Sequence, residues 1–219
     1  MTRSLEIQIY TDPVCPWCFI GKRRLELALD ARPDLSVRFY WRAFQLNPGI
    51  PECGMDHTAY LASKFDGARR ATNIYEDIRR VGESVGIDFA FEKIKRTPNT
   101  MDAHRLIKIA AKTARDDLVV ERLFGGYFFD GADIGDRNTL IEIARNAGLD
   151  VGRVAAELSS DLHFEVLSSE GAQARAFGIE GVPSFVFNNQ YLLSGAQEPE
   201  SFYPIFDLAS QPARNASFE

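Results

Sequence analysis

Two cysteines separated by two residues, in Cys15-Pro16-Trp17-Cys18, form a unit that can cycle between dithiol and disulfide. They follow an alternating run at Leu5, Ile7 and Ile9 and open an apolar helical stretch through Leu25, Ala28 and Leu29. At a helix start the free amides and the positive dipole end favour thiolate at the leading sulfur. Cys15 is therefore the expected exposed nucleophile, and Cys18, one turn deeper, the resolving thiol. Exchange needs that order, because the first thiolate forms a mixed disulfide that the second thiol releases. Pro16 suits the first helical turn, where the amide it lacks would have no partner. Trp17 places an apolar, substrate-binding surface beside the reacting sulfur. The alternatives are a pair of core cysteines or half of a zinc site. A zinc site needs further ligands, and only Cys53, His57, His104 and His163 remain, none in a second paired motif. No metal and no bound cofactor is expected.

The chain has 219 residues, 45% of them hydrophobic, enough for one large core or two modest ones. No run is long and apolar enough to suggest a membrane span. Met1 to Glu6 leads almost at once into a strand, with no basic segment before an apolar one, so a reducing, cytoplasmic setting is expected. The sequon Asn215-Ala216-Ser217 then reads as chance. A net charge of −6 argues against nucleic acid as a partner. The basic trio Lys22, Arg23 and Arg24 either raises the potential near the thiols, holds a carboxylate of a peptide-like partner, or forms a solvated helix face.

The elements around the motif predict an α/β chain in two halves. Val37, Phe39, Trp41 and Ala43 alternate with Arg38, Tyr40 and Arg42 as a second strand. Strand, helix, strand is the first half of a thioredoxin-like unit. Its second half is expected far downstream, as a hairpin from Ser184–Phe187 to Tyr191–Ser194 turning at Asn188-Asn189, then a closing helix with Phe202, Ile205, Phe206 and Leu208. Pro204 should kink or delay that helix. Residues 1–52 and 178–219 thus form a discontinuous thioredoxin-like domain, and residues 53–177 an inserted, almost wholly helical one. The insertion shows apolar stripes at Ile74, Ile78, Val81 and Val85 with a stop at Gly86, and at Ala103, Ile107, Ala110, Ala111 and Ala114 after a cap at Asn99 or Thr100. Further stripes lie at Val120, Leu123, Phe124, Tyr127 and Phe128, and at Leu140, Ile143, Ala144 and Ala147 between Asp136 and Gly148. A short helix follows Asp150, and a last one spans about Leu162 to Phe177.

Gly181-Val182-Pro183 stands just before the third main strand. In a thioredoxin-like unit this loop faces the cysteines, and Val182 can offer its backbone to an extended substrate. A cis bond before Pro183 suits such a bend; the alternative is an ordinary trans proline at a strand start.

With these segments in view the chain resembles the DsbA-like members of the thioredoxin superfamily, in particular the cytosolic FrnE-like group. That group neighbours the 2-hydroxychromene-2-carboxylate isomerases and kappa-class glutathione transferases. The resemblance rests on Asp12 to Lys22, on Phe44-Gln45-Leu46-Asn47-Pro48, on Asn99-Thr100 with Ala103-His104-Arg105-Leu106, and on Gly181 to Phe185 with Ser194-Gly195-Ala196-Gln197. It implies a thioredoxin fold with a helical insertion, a catalytic Cys15–Cys18 disulfide and a cis peptide before Pro183. It also implies thiol-disulfide oxidoreductase or isomerase activity on protein or small-molecule thiols and disulfides. The isomerase and transferase relatives commonly carry serine in place of Cys15, and a Ser-Asp pair where this chain reads Gly195-Ala196-Gln197. Glutathione is thus expected as a co-substrate at most, and the alternative function is a glutathione-dependent isomerase or transferase acting on a small aromatic-type substrate.

His104 is read either as a substrate contact over the cleft or as a buried structural histidine. Asp12 either caps a turn or acts as a base near Cys18. Gln45 and Asn47 fix a loop, Phe44, Phe128 and Phe129 line either a groove or the core, and Cys53 is either a bystander or a regulatory thiol.

Overall fold

The computed structural model describes residues 3–65, 68–176 and 178–211. The sequon at Asn215 and the expected helix end at Phe177 lie outside the described residues.

The apolar alternation of the first segment becomes strand β1 (Arg3–Thr11), with Leu5, Ile7 and Ile9 fully buried. Helix α1 (Pro16–Asp30) begins at once, with Cys15 as its N-cap residue in extended conformation and Pro16 in the first turn. Strand β2 (Leu35–Ala43) returns parallel to β1 with Leu5 opposite Val37 and Ile9 opposite Trp41. Strands β5 (Ser184–Phe187) and β6 (Tyr191–Ser194) complete a sheet ordered β2-β1-β5-β6 after two short strands, β3 (Met55–Asp56) and β4 (Arg96–Thr97). Asn188 and Asn189 both take positive φ, 49° and 57°, as a tight hairpin turn requires.

The segment between the sheet's halves folds as α2 (His57–Lys64), α3 (Ala68–Glu83), α4 (Met101–Ala111), α5 (Asp116–Phe128), α6 (Arg137–Asn146), α7 (Val151–Leu158) and α8 (Phe164–Ala176). Asp136 and Asp150 cap their helices through the Thr139 and Arg153 amides, and Gly86 and Gly148 end theirs at positive φ. The insertion is almost wholly helical as expected, the exceptions including the two-residue strands β3 and β4, which pair across Met55 and Thr97. Three expectations need correction. Ala111 and Ala114 are exposed and α4 ends at Ala111, because Ala114 turns at φ 54°. The helix expected from Leu162 starts at Phe164, as His163 stands at φ 70°. Pro204 neither kinks nor delays the closing helix α9 (Tyr203–Ala209); it sits in the first turn, where no intrahelical amide bond is lost.

One hydrophobic cluster runs from the sheet (Ile7, Phe185, Phe187) through Phe19 and Ile20 of α1 into the insertion (Phe124, Leu140, Leu158). Phe19 stacks on Phe124 at 4.9 Å and lies near Phe89, Phe128 and Phe129, so the helix that opens at Cys15 is held by aromatic contact with α5. Phe44 and Phe128 belong to the buried interior, and Phe129 is partly buried against the same core as Phe128.

Candidate active site

The turn that ends β1 presents the thiols. The Cys15 amide donates to the Asp12 carbonyl at 2.9 Å, and the Cys18 amide donates to the Cys15 carbonyl at 3.0 Å. Both cysteines are free thiols. Cys15 is 4% exposed and Cys18 3%, so the leading cysteine is recessed, where an exposed one was expected; Trp17, 38% exposed, is the apolar surface beside it.

Facing Cys15 is the loop before β5. Val182–Pro183 is a cis peptide, and the Cys15 thiol points at the Val182 carbonyl with sulfur to oxygen 3.7 Å. The loop is pinned from both sides: the Gly195 amide donates to the Pro183 carbonyl at 2.8 Å, and Ser184 Oγ donates to the Gly181 carbonyl at 2.9 Å. Val182 itself is half-buried, and its amide makes no hydrogen bond among the described residues. Helix α1 reaches this loop through Gly21, where an added Cβ would stand 2.7 Å from Pro183 Cγ. Only glycine admits that approach.

The two thiols differ in surroundings. Burial pushes the Cys18 thiol well up, reinforced by neighbouring Cys15, while Thr11 and the Asp12 backbone favour its thiolate. Asp12 is 1% exposed; its carboxylate accepts from the Leu46 amide at 2.8 Å and the Val14 amide at 3.5 Å, which makes it the anchor of the turn. Burial outweighs those bonds and raises its pKa to about 6. His104 does not lie over a cleft as a substrate contact: it is 3% exposed in α4, with Nε2 4.0 Å from Asp12 Oδ1, and burial lowers its pKa to about 3. A neutral imidazole at that distance is no ion pair.

Gln45 and Asn47 do fix the loop after β2: Gln45 Nε2 donates to Asn99 Oδ1 at 3.1 Å, and Asn47 Nδ2 to the Tyr60 hydroxyl at 3.0 Å. The basic trio is neither a solvated face nor an open anion site. Lys22 is 4% exposed among Glu26, Asp117 and Glu121, Arg23 pairs with Glu26 and Glu121, and Arg24 is held by Glu198 and the Ala196 carbonyl. Cys53 sits exposed in the turn before β3. Among the described residues no three His, Cys, Asp or Glu side chains are grouped to hold a metal ion, and no helix is long and apolar enough to cross a membrane. Sequence reasoning missed the packing role of Gly21, whose approach to Pro183 joins segments far apart in the chain.

The geometry has counterparts among known proteins. The chain is 24% identical over 194 residues to the uncharacterized protein YwbO of Bacillus subtilis (strain 168), covering 88% of this chain and 92% of that one. The crystal structure of the probable DsbA oxidoreductase SCO1869 from Streptomyces coelicolor superposes with a TM-score of 0.87 at 28% identity, over 96% of this chain and 93% of that one. A 2-hydroxychromene-2-carboxylate isomerase structure shares the fold at a TM-score of 0.65 and 14% identity, over 93% of each chain. The model of the DSBA-like thioredoxin domain matches residues 6–204, and the chain belongs to that family.

Proposed function

We propose that the protein is a thiol-disulfide oxidoreductase that works through Cys15 and Cys18, in the FrnE-like group of its family. The observation that carries this reading is the opposition of Cys15 at the start of α1 to the Val182–Pro183 loop, 3.7 Å across, with the Val182 amide unengaged. An extended substrate pairing with that backbone brings its disulfide to Cys15. Cys15 thiolate attacks one substrate sulfur, the substrate S–S bond breaks, and the second sulfur leaves as thiolate. Cys18, deprotonated, then attacks Cys15, so that the Cys15–Cys18 bond forms and the first substrate sulfur leaves. The substrate gains two electrons and the pair loses them; the reverse sequence donates a disulfide. Cys18 stays protonated in its buried setting until the mixed disulfide needs it, which keeps the order of attack.

The test is mutational. Cys15→Ser should abolish reduction of a peptide disulfide, and Cys18→Ala should accumulate a Cys15-linked mixed disulfide visible by intact mass. Activity that survives Cys15→Ser would end this reading. Turnover of a small aromatic substrate that survives Cys18→Ala and requires glutathione would replace it with the isomerase or transferase reading.

A further inference from the structure

Helix α1 meets the two arms of the β5–β6 hairpin at two levels, one turn apart. At Gly21 it touches Pro183, and at Arg24, three residues on and on the same side of the helix, it reaches the turn that follows β6. Arg24 Nη1 donates to the Ala196 carbonyl, and Nη2 donates to the Glu198 carboxylate. The residue before Ala196 is Gly195, at φ 82°, whose amide donates to the Pro183 carbonyl at 2.8 Å. The contacts close a ring: from α1 to Pro183, from Pro183 to Gly195, and from Ala196 back to α1. Arg24 is costly to keep in that ring. It is 7% exposed, its carboxylate partner Glu198 has a side chain 64% exposed, and its Nε is buried with no hydrogen-bond partner among the described residues. A buried cation with an unpaired N–H does less for stability than an apolar side chain of similar volume. What the guanidinium adds is a rigid fork of donors, held on two points of one turn beside the backbone that a substrate must pair with.

We propose that Arg24 is a positioning residue for extended substrates: by holding the Ala196 carbonyl it fixes the Gly195 turn, and through the Gly195 amide it fixes the direction in which Val182 presents its backbone opposite Cys15. The inference rests on the oxidoreductase reading. A glycine at positive φ is a permissive joint, so without the fork the Gly195 amide can swing, and the Val182–Pro183 unit follows the bond at the Pro183 carbonyl. Cys15 is held independently of this turn, by the bond of its amide to the Asp12 carbonyl at 2.9 Å. Loss of Arg24 therefore acts on a substrate that needs the Val182 backbone more than on a disulfide too small to pair with it. Arg24 touches neither thiol nor substrate in this scheme. It decides which substrates meet Cys15 in line.

The experiment compares kcat/KM for a peptide disulfide with kcat/KM for bis(2-hydroxyethyl) disulfide, which has no peptide backbone to pair with Val182. Arg24→Met, close in length and without donors, should lower the ratio of the two by about tenfold through misplacement of the Val182 backbone. Arg24→Lys keeps a donor for the Ala196 carbonyl and should hold the ratio within about threefold of wild type. Equal loss on both substrates would make Arg24 a merely structural residue. That result, an unchanged ratio in Arg24→Met, or a Lys variant no better than the Met variant would overturn the proposal and leave the oxidoreductase reading intact. If Arg24→Met does not fold, Glu198→Ala decides at an exposed position: freeing one arm of the fork should lower the same ratio by about threefold, and an unchanged ratio overturns the proposal. A wild type that reduces neither disulfide overturns the oxidoreductase reading itself.

Discussion

Burial raises the pKa of Asp12 from 3.8 to about 6, so across that interval the folded chain holds a proton that the unfolded chain has released. Its contribution to stability is present below pH 3.8 and is lost as pH rises through about 6. Asp12→Asn removes the buried charge and keeps an acceptor for the Leu46 amide. In urea denaturation this variant should be more stable than wild type at pH 7.5 by on the order of 2 kcal/mol, with the difference vanishing near pH 4. A constant difference across pH would show that Asp12 titrates normally. His104 works in the opposite sense: its stabilising contribution as a neutral group is present above pH 6.5 and is lost as pH falls toward about 3. At this scale the sequence disclosed the thiols and little of their setting. Cys15, Cys18, Trp17 and Pro183 are recognisable by type and spacing, whereas nothing in a string of letters marks Lys22 and Arg24 as buried, because their acidic partners Asp117, Glu121 and Glu198 are distant in the chain.

Helix α1 and the loop before β5 must meet for the thiol and the substrate backbone to act together, and Gly21 sets their separation. A Cβ there would stand 2.7 Å from Pro183 Cγ and 3.3 Å from the Phe185 ring, so one of the two elements must retreat. Gly21→Ala should therefore lower kcat/KM for a peptide disulfide by about tenfold or more, through a shift of a few tenths of an ångström in reacting geometry. Both thiols should remain titratable with a small alkylating agent. Unchanged kcat/KM would mean that the loop adapts freely. Element boundaries were legible where the local chemistry is strong: Asp136, Asp150, Gly86 and Gly148 are caps and stops by residue type alone. They were illegible where tertiary contacts decide. Strands β3 and β4 are too short for periodicity to register. Of the two caps expected for α4, Asn99 is the one that bonds, its Oδ1 accepting the Met101 amide, while the Thr100 side chain makes no cap bond. Arg105, a resemblance residue with no assigned task, proves to be a buried clamp. It bonds Asp102 and the carbonyls of Glu157, Leu158, Ser160 and Leu162, at the end of α7 and just beyond it.

Across the described residues the larger hydrophobic cluster joins the sheet to the insertion, with a smaller one at Phe44, Ala174 and Ile179, and the aromatic part of the larger, centred on Phe19, lies directly beneath the helix that carries both cysteines. The division into sheet and insertion was readable because strand-like alternation stops after Ala43 and resumes only at Ser184. The shared core was not, since no periodicity states which stripe meets which. Two cavities of about 640 and 620 Å³ lie away from the thiols, one lined by Tyr10, Arg42 and Tyr191 and the other by Gln45, Asn99 and Phe164. The thiol pair instead faces a backbone edge, which suits an extended chain as substrate. The measurement that bears most directly on this account is the redox state of Cys15 and Cys18 across a graded series of glutathione buffers, read by intact mass after alkylation with Cys18→Ala as control. The account predicts one two-electron transition between dithiol and disulfide, whose midpoint gives the direction of electron flow. A pair that never closes, or that binds glutathione without exchanging it, would contradict it.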